Sequence, residues 1–557
     1  MKIFSLATSL AILSTVNAFP TLDLWSKFIA PSPNDDSIFI NNLADPQNEP
    51  APAPKPAEEM VYIEDFESFD NLDIIDETAY KKLPEIDTEQ LQSLVTKDAL
   101  RSRAETLFSL AEKSTGKYGH PTRVIGSPGH FATVHYILRE LRKLGGYYNI
   151  KSQSFKALDG RVNSYSLLID GVQPKTLDAL QLTPPTPNKA PVHGNLVLVL
   201  NSGCSLHDYP SFAKDNIVLV KRGECAFGEK SRNAGKVGAK AAIIYDSNGP
   251  LQGTLGTPEG DEVPTLAVVE KEVAHYIEQL QKVPTHKFET TLYVDSYVRN
   301  ISTLNVIAET AFGDHDNVVS LGAHSDSVGA GPGINDDGSG TISLLEVAKL
   351  LTKFKVNNAV RFGWWAAEEE GLLGSEYYAN SLSKEENAKI RLFMDYDMMA
   401  SPNYEYEVYD ANNNDHPNGS GDLKDLYVDW YKQHGLNFTF VPFDGRSDYV
   451  GFINNKIPAG GIATGAEGVK NKSSKEKFGG EENKWFDPCY HQLCDDLSNP
   501  SYEAWEVNTK LIAHSVAVYA KSFAGFPERE GKNETEAKVQ QSGLDDLFMR
   551  RGDRYIM

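Results

Sequence analysis

The sequence predicts an α/β protein built on a mostly parallel, doubly wound sheet that carries a β-rich insertion. Residues 299–523 alternate β-branched apolar runs with segments of helical periodicity, as a parallel sheet requires. Residues 167–298 instead show short apolar runs separated by turn residues, which indicates a compact inserted domain. A chain of 557 residues with 40% apolar content is long enough for both parts.

The N-terminal segment predicts entry into the secretory pathway. In residues 1–18, Lys2 precedes an apolar run, and Val16-Asn17-Ala18 forms a small-residue cleavage site. The run is too short to span a membrane, so we expect a cleaved signal peptide and no stable membrane anchor. The acidic, proline-rich residues 19–96 lack sustained periodicity and cannot bury enough apolar surface to order themselves. We interpret them as a propeptide, with an end that the sequence does not fix, removed by a processing protease.

The larger domain is expected to occupy residues 97–166 and 299–526, with the insertion at residues 167–298. Its first helical pattern begins near Asp98, and a second includes Val134 and Leu141. The turn between them contains His120 and His130, which lack partnering acids and are therefore interpreted as loop structure. The charged residues 527–557 are predicted to form a loose tail.

Residues 321–340 predict half of a metal site. An apolar strand at residues 317–323 delivers His324 and Asp326, and Asp336 lies in a glycine-rich loop before a helix. Open α/β sheets bind ligands beyond the carboxyl ends of their strands, which is where these side chains lie. Three later segments add acids or a histidine near strand ends or in loops: WWAAEEEGLLGS at residues 364–375, MDYDMMASPN at 394–403 and DPCYHQLCD at 487–495.

The residue types in these segments favour zinc or a related divalent metal. Imidazole and carboxylate ligands without thiolates suit such ions, and two histidines with several acids can hold two metals that share one carboxylate. A paired site clamps substrate and activates water, which points to hydrolysis of a carbonyl bond. In Glu368-Glu369, one acid could serve as a base beside a ligand. The alternative is that three consecutive glutamates only form a solvated helix start.

These motifs resemble the M28 family of co-catalytic zinc aminopeptidases, and its fungal vacuolar members in particular. KRGECAF at residues 221–227 and KSRNAGKVGAKAAIIY at residues 230–245 resemble the protease-associated (PA) domain inserted in some of its members. The resemblance runs from about Tyr118 to Phe526 and rests on several separate motifs in the correct order. It implies a zinc-dependent aminopeptidase that hydrolyses the N-terminal peptide bond of peptides and proteins.

The resemblance also implies the roles of individual residues. Glu368 would be the general base for a water activated by two zinc ions, Asp326 would orient His324, and Tyr490 would donate to the oxyanion. Arg446 would contact substrate, with a surface salt bridge as the alternative. The two zinc ions would be bound by two ligand sets that share Asp336: His324, Asp336 and Asp397, and Asp336, Glu369 and His491.

An oxidising compartment makes disulfides and glycans expected features. Four cysteines are an even number, and sequence neighbourhood suggests the pairs Cys204–Cys225 and Cys489–Cys494. The second disulfide would hold Tyr490 and His491 in place. A cysteine zinc site would need Cys-x-x-Cys pairs, which this sequence lacks. The glycosylation sequons begin at Asn300, Asn418, Asn437, Asn471 and Asn533.

Composition and motif completeness weigh against other functions. A net charge of −23 argues against a nucleic-acid partner, which would require a basic surface. Alternatives with the same fold are a PA-domain carboxypeptidase, a one-zinc glutaminyl cyclase and a non-catalytic receptor-like relative. The expected partners are peptides with a free N terminus, the expected compartment is the vacuole lumen, and secretion is the alternative.

Overall fold

The computed structural model describes residues 77–246 and 253–529. Its helices are α1 (Glu77–Lys81), α2 (Thr88–Ser93), α3 (Lys97–Ala111), α4 (Thr115–Tyr118), α5 (Pro128–Arg142), α6 (Phe227–Lys236), α7 (Glu270–Lys282), α8 (Gly338–Leu351), α9 (Leu373–Ser381), α10 (Lys384–Lys389), α11 (Ser420–Gln433), α12 (Tyr449–Asn454), α13 (Lys472–Phe478) and α14 (Tyr502–Lys521). Its strands are β1 (Tyr148–Ile169), β2 (Leu177–Ala179), β3 (Val192–Leu198), β4 (Ile217–Lys221), β5 (Ala241–Asp246), β6 (Thr265–Val269), β7 (Glu289–Thr310), β8 (Asp314–His324), β9 (Asn358–Trp365), β10 (Ile390–Tyr396), β11 (Glu407–Tyr409), β12 (Thr439–Val441) and β13 (Ala459–Ala463).

Several sequence predictions lie outside the described residues. These are the signal peptide, the leader up to residue 76, the sequon at Asn533 and the tail beyond residue 529. Among the residues that are described, none of the helices is both long enough and apolar enough to cross a membrane.

The strands form one mixed sheet in the order β12-β11-β13-β10-β8-β9-β7-β3-β4-β5-β6-β2, with β1 paired to β7. In the larger domain, β13, β10, β8 and β9 are mutually parallel neighbours. In the insertion, β3, β4, β5 and β6 are likewise parallel. Antiparallel pairs of β7 with β9 and with β3 join the two parallel groups. The α/β fold with an inserted β-rich domain is confirmed. The strand predicted at residues 317–323 lies within β8, and the helix predicted after the glycine-rich loop is α8.

Helices cover both faces of the larger parallel group. Along β10, Leu392 and Met394 belong to one hydrophobic core, which also includes residues of α3, α5, α8 and α14. Phe393, which lies between them, belongs to a second core with residues of α9 and α12. Because successive strand residues point to opposite faces, these two cores lie on opposite sides of the sheet. This arrangement confirms the doubly wound architecture.

A long two-stranded ribbon connects the larger domain to the insertion. Strands β1 and β7 pair antiparallel from Tyr148–Thr310 at one end to Ile169–Thr290 at the other. The same β7 strand then pairs with β9 near one end and with β3 near the other. Two 22-residue strands therefore join the two parallel groups, with one register shift between Val162 and Ser164.

Residues 77–96 pack into the larger domain, so the prediction of an unordered leader up to residue 96 is wrong for this part. Ile86 and Leu91 are fully buried in the same core as α8 and α14. The Ile86 N–H donates to the carbonyl of Lys355 at 3.0 Å. Trp430 Nε1 donates to Gln92 Oε1 at 2.9 Å. Spaced apolar residues in two very short helices gave too little periodicity to be recognised in the sequence.

Candidate metal centre

The parallel order of three strands brings four of the predicted site residues to one edge of the sheet. Strand β8 lies between β9 and β10 and is parallel to both, so the chain leaves all three strands at the same edge. His324 is the last residue of β8, and Asp397 directly follows β10. Glu368 and Glu369 come shortly after the end of β9. This placement agrees with ligand binding beyond carboxyl strand ends.

Loop residues complete the cluster, and Asp336 occupies its centre. Asp336 Oδ1 lies 3.3 Å from His324 Nε2, and Asp336 Oδ2 lies 2.9 Å from His491 Nε2. Glu369 Oε2 is 3.1 Å from His491 Nε2, and Asp397 Oδ1 is 3.8 Å from His324 Nε2. The five predicted ligands therefore come together as two overlapping groups that meet at Asp336.

Several polar atoms of this cluster are buried without a hydrogen-bond partner. Leaving such atoms unsatisfied is costly, so native structures rarely do so without a ligand, ion or water. A divalent cation would satisfy them, and imidazole nitrogens with carboxylate oxygens match the donor set of zinc. The residues therefore fit the metal that the sequence predicts. The unpartnered atoms are His324 Nδ1 and Nε2, Asp336 Oδ2, Glu369 Oε1, Asp397 Oδ1 and His491 Nδ1.

The electrostatics of the protein alone also favour a bound cation. Burial would lower the pKa of His491, but the carboxylates of Glu369 and Asp336 raise it to about 10. Burial raises the pKa of Asp397 to about 7, with Asp336 and Glu369 contributing and His324 opposing. The crowded carboxylates thus stabilise positive charge and raise one another's pKa values. A bound metal ion would lower these pKa values again and favour the ionised carboxylates.

A second acid, Asp337, is also close to His324 and Asp397. Its oxygens already accept backbone N–H groups from His324 at 3.1 Å, Gly340 at 2.8 Å and Met398 at 3.2 Å. Asp337 is also the N-cap of α8. Because its oxygens are occupied in this way, Asp336 is the better candidate for a shared metal ligand.

Asp326 contacts Glu368 and Glu369 in addition to His324, the one contact that the sequence predicted. Its carboxylate is fully buried, and Oδ1 lies 3.7 Å from His324 Nδ1, an ion-pair distance longer than a hydrogen bond. The same carboxylate accepts the N–H of Glu368 at 3.3 Å and of Glu369 at 3.4 Å. One acid therefore contacts the histidine at the end of β8 and the two glutamates that follow β9.

Arg446 and Tyr490 form one wall beside His491. Arg446 makes a bidentate pair with Glu467 at 2.7 and 3.1 Å, and its Nη2 donates to the Tyr490 hydroxyl at 3.2 Å. The Tyr490 ring stacks on His491 with centroids 3.8 Å apart. Arg446 is thus part of a partly buried network next to the metal-ligand candidates rather than an isolated surface pair.

Both disulfides form as predicted, between Cys204 and Cys225 and between Cys489 and Cys494. The second closes a loop of sequence separation 5 that contains Tyr490 and His491. Within the described ranges no cysteine is free. The disulfide therefore limits the motion of a segment that supplies one predicted ligand and one predicted hydrogen-bond donor.

Sequence reasoning missed three residues that contact the site segments. His130 Nε2 lies 3.1 Å from Ser325 Oγ, between His324 and Asp326 in the chain. Burial lowers the pKa of His130 to about 4, so its imidazole is neutral. This histidine belongs to the first turn of α5, not to a loop, and the Ser127-Pro128 capping pattern could have indicated the helix start.

The other two missed residues are Arg123 and Ser447. Arg123 is buried and donates to the carbonyls of Ser325 at 2.5 Å, Pro332 at 2.8 Å and Gly333 at 2.5 Å. Ser447 Oγ donates to Asp397 Oδ2 at 3.2 Å. Their partners are distant in sequence, so no local pattern could have indicated these contacts.

Left-handed backbone also occurs at the site. Ala367, Met398 and His491 have φ values of 62°, 55° and 57°, although none is glycine. Such conformations cost about 1–3 kcal/mol each and persist where surrounding structure imposes them. Each of the three is a predicted ligand or lies within two residues of one.

Comparison with known proteins assigns the chain. The profile of peptidase family M28 matches residues 305–516, and that of the PA domain matches residues 192–276. Aminopeptidase Y of Saccharomyces cerevisiae is 53% identical over 491 residues, which cover 86% of this chain and 88% of the relative. Leucine aminopeptidase 2 of Trichophyton rubrum is 41% identical over 466 residues, which cover 83% of this chain and 92% of the relative.

Solved structures agree with the sequence relatives. An aminopeptidase from Aneurinibacillus sp. strain AM-1 superposes with a TM-score of 0.64 at 25% identity, covering 81% of this chain and 99% of that one. A zinc aminopeptidase from Bacillus subtilis gives a TM-score of 0.54 at 25% identity, covering 78% of this chain and 97% of that one. The chain belongs to peptidase family M28, as a metallo-aminopeptidase with an inserted PA domain.

Proposed function

We propose that this chain hydrolyses the N-terminal peptide bond of peptides and proteins with two zinc ions and with Glu368 as general base. The observation that carries the proposal is the position of Asp336. Its two carboxylate oxygens face different histidines, His324 at 3.3 Å and His491 at 2.9 Å. A carboxylate so placed can be shared by two ions in a paired site. The aminopeptidase names of the relatives support the same reaction.

The ligands divide into two sets around Asp336. His324 and Asp397 would complete one site, and Glu369 and His491 the other. Bound zinc would polarise the scissile carbonyl and lower the pKa of a coordinated water. Asp326 would keep His324 oriented through its contact with Nδ1, as outer partners of metal-bound histidines commonly do.

Glu368 is placed to move protons. Its Oε2 lies 3.9 Å from His324 Nε2, so it faces the space between the ligands. Burial raises the pKa of Glu368 well above the usual carboxyl range, Asp448 and Glu369 add to this effect, and His324 opposes it. A carboxylate of raised pKa can take a proton from the attacking water and then pass it to the leaving amine. The Asp326 contact with the Glu368 N–H fixes the backbone at this residue.

Tyr490 is proposed to stabilise the developing oxyanion. Burial raises the pKa of its hydroxyl well above the ordinary value, so the group keeps a proton that it can donate. Arg446 donates to the same oxygen at 3.2 Å and limits the directions in which the hydroxyl can point. Arg446 itself is proposed to contact the bound peptide.

The surplus of carboxylates predicts a preference for substrates with a free N terminus. An α-ammonium group entering the site would meet the acids around Glu368 and Glu369, whereas an N-acetylated terminus carries no charge. We therefore expect N-acetylated peptides to be poor substrates. Equal hydrolysis of acetylated and free peptides would contradict this part of the proposal.

The decisive experiment compares the processed protein with Glu368→Gln on an aminoacyl-anilide, with zinc counted in both proteins. We expect two zinc ions in each and a loss of kcat in the variant of about 10²–10⁴-fold, the usual contribution of a positioned acid–base group. Glu385→Gln is the matched control, because it makes the same change on exposed α10.

Each other outcome would point elsewhere. A parent protein with two zinc ions but no activity on the anilide would favour the carboxypeptidase alternative. One zinc ion per chain would favour the cyclase, and none would favour the receptor-like relative. A Glu368→Gln variant as active as the parent would remove Glu368 from the role of base.

Maturation and location remain part of the proposal. We propose the domain limits given above, with the packed residues 77–96 added to the larger domain. We also propose a cleaved signal peptide, removal of an N-terminal propeptide and delivery to the vacuole lumen, with secretion as the alternative. Among the sequons, Asn300, Asn437 and Asn471 are exposed, and the Asn471 side chain accepts through its oxygen, as the N-cap of α13. Asn437 instead donates its Nδ2 to Lys477. Intact-mass measurement before and after glycosidase treatment tests which sites carry glycans.

A further inference from the structure

The disulfide loop that carries His491 is flanked by two buried acids. Asp487 precedes the loop, Asp495 follows it, and both are almost entirely inaccessible to solvent. Neither belongs to the proposed ligand sets or acts in the proposed proton transfer. Buried carboxylates are retained where they are well hydrogen-bonded, so the partners of these two acids indicate what they do.

Asp495 holds the backbone of the proposed shared ligand. Its Oδ1 accepts the N–H of Asn335 at 2.9 Å, and its Oδ2 accepts the N–H of Asp336 at 3.0 Å. The main-chain carbonyl of Asp495 accepts the N–H of Ile334 at 3.0 Å. Three consecutive N–H groups ending at Asp336 are therefore bound by one residue.

Asp487 acts on the same segment through the side chain of Asn335. Asn335 Nδ2 donates to Asp487 Oδ2 at 2.6 Å. The other oxygen of Asp487 accepts the N–H of Cys489 at 2.8 Å, inside the disulfide loop. Asn499 Nδ2 lies between the two acids, 3.0 Å from Asp487 Oδ2 and 2.9 Å from Asp495 Oδ1. Asn335, Asp487, Asp495 and Asn499 are called the aspartate–asparagine network below.

The network also reaches the segment that follows β10. Asn335 Oδ1 accepts the N–H of Ala400 at 2.9 Å, and Asn335 Nδ2 donates to Ser401 Oγ at 3.1 Å. The segments of Asp336, Asp397 and His491 thus meet at one buried amide side chain. Carboxylate acceptors give charge-assisted hydrogen bonds, which are stronger than neutral ones and fix geometry more firmly.

We infer that Asp495 is a positioning residue that sets the separation of Asp336 and His491 and thereby the zinc affinity of the site. The inference rests on the proposed function, because it needs both residues to be ligands. The Asp495 carboxylate accepts from the Asn335 N–H, the Asp336 N–H and Asn499 Nδ2, and none of these is the side chain of a proposed ligand. It acts by holding the Asp336 backbone to the chain immediately after the disulfide loop.

The test is Asp495→Asn, which keeps the shape but replaces one acceptor oxygen by an amide donor. That donor would face a backbone N–H, so one of the two hydrogen bonds to residues 335 and 336 is lost. We expect the zinc dissociation constant, measured by chelator competition, to rise about ten- to hundredfold, as for other residues that support metal ligands. Excess zinc should restore kcat, with little change in KM.

Asp496→Asn is the matched control, because its side chain bonds only within the turn to Ser498. A merely structural role for Asp495 would lower the melting temperature of the zinc-free protein and leave the zinc affinity as in the parent. Parental zinc affinity in folded Asp495→Asn would therefore overturn the inference. If the parent itself binds no zinc, the proposed function fails, and the inference fails with it.

A milder variant decides the matter if Asp495→Asn does not fold. Asn499→Ala leaves both acids in place but removes the donor between them. We expect zinc affinity to fall several-fold, since the two acids would then lose the donor that they share. Parental affinity in folded Asn499→Ala would contradict the inference.

Discussion

The peptidase region and the PA region both contribute parallel strands to one sheet, but they differ in the charged residues at the strand ends. In the PA region, Arg222 follows β4 and pairs with Asp246 at the end of β5 at 2.8 Å. Buried Lys230 donates to the carbonyls of Ser202 at 2.6 Å and Gly223 at 2.5 Å. This edge supplies its own partners for the charges that it carries.

At the corresponding edge of the peptidase region, buried acidic side chains outnumber the basic ones. Glu368, Asp337 and Asp397 have raised pKa values because burial and neighbouring acids disfavour their charge. At Asp336, burial is outweighed by His324 and His491, which lower the pKa of its carboxyl group. In the part of the chain that the structure describes, the only residue groups arranged to hold a metal lie at this edge. The comparison teaches that strand order supplies a place for a site, whereas the loops decide whether an external cation is needed there.

Removal of metal should give the largest difference between the two regions. Chelation should abolish hydrolysis and lower the melting temperature, since a ligand at 100 times its dissociation constant stabilises by about 2.7 kcal/mol. Hydrogen exchange should increase in residues 324–337 and 487–495, where acids would repel one another, and stay unchanged in β4 and β5.

Chelator already saturated with zinc is the control for that experiment. Re-addition of zinc should restore both protection and activity. An equal loss of protection from hydrogen exchange in the two regions would contradict this prediction. It would show that metal removal does not act through the excess of acids at the peptidase strand ends.

Loss of the disulfide in the PA region should mainly lower stability, whereas loss of the disulfide in the peptidase region should mainly lower zinc affinity and activity. The Cys204–Cys225 loop has sequence separation 21 and the Cys489–Cys494 loop has 5, so loop entropy gives about 3 and about 2 kcal/mol of stabilisation respectively. The paired Cys204→Ser/Cys225→Ser change should therefore lower stability more and leave zinc affinity unchanged. The paired Cys489→Ser/Cys494→Ser change should lower zinc affinity and kcat, because His491 loses a constraint.

Each double variant serves as the control for the other, with denaturant unfolding and zinc competition measured on both. A fall in zinc affinity that is equal in the two variants would contradict a specific role for the disulfide beside His491. A fall confined to the second variant would support it.

The smallest effect on catalysis is expected from Leu91→Ala, which tests whether residues 77–96 belong to the peptidase region. Leu91 is fully buried in the core that includes α8 and α14. Removing a buried leucine side chain costs about 2–5 kcal/mol, so the melting temperature should fall. Below that temperature, kcat and KM should match the parent, because none of the hydrogen bonds and ion pairs described above joins α2 to the proposed metal ligands.

The same change at exposed Leu200, Leu200→Ala, controls for the substitution itself. If Leu91→Ala and Leu200→Ala lose similar, small amounts of stability, residues 77–96 are not an integral part of the core. That result would restore the prediction of a leader extending to residue 96.

The sequence was most informative where chemistry and periodicity coincide. The run from β8 into α8 combines β-branched residues, His324, Asp326 and Asp336, so strand, loop and helix could be recognised together. The acids after β9 and β10 could be assigned to the same site, because neighbouring parallel strands end at one edge of the sheet and ligands bind beyond that edge. Cys489 and Cys494 were close enough in sequence to pair, and the structure confirms the bond.

Local patterns could not reveal contacts between distant segments. Arg123 and Ser325 are separated by 202 residues, and Asp336 and Asp495 by 159, so neither contact has a periodic signature. Residues 77–96 were misjudged for a related reason, since the short helix α2 is stabilised by packing against α14 and not by its own periodicity.

The sequence by itself determined the alternation of strands and helices, the identity of the acids and histidines, and the family. Those properties are local or reside in short motifs, because side-chain chemistry and hydrophobic spacing are written in neighbouring residues. Only the tertiary structure decided that Asp336 lies between His324 and His491, that Asp337 caps a helix, and that Asp495 holds the Asp336 backbone. These relations depend on how separate loops pack at one sheet edge, which no single stretch of sequence specifies.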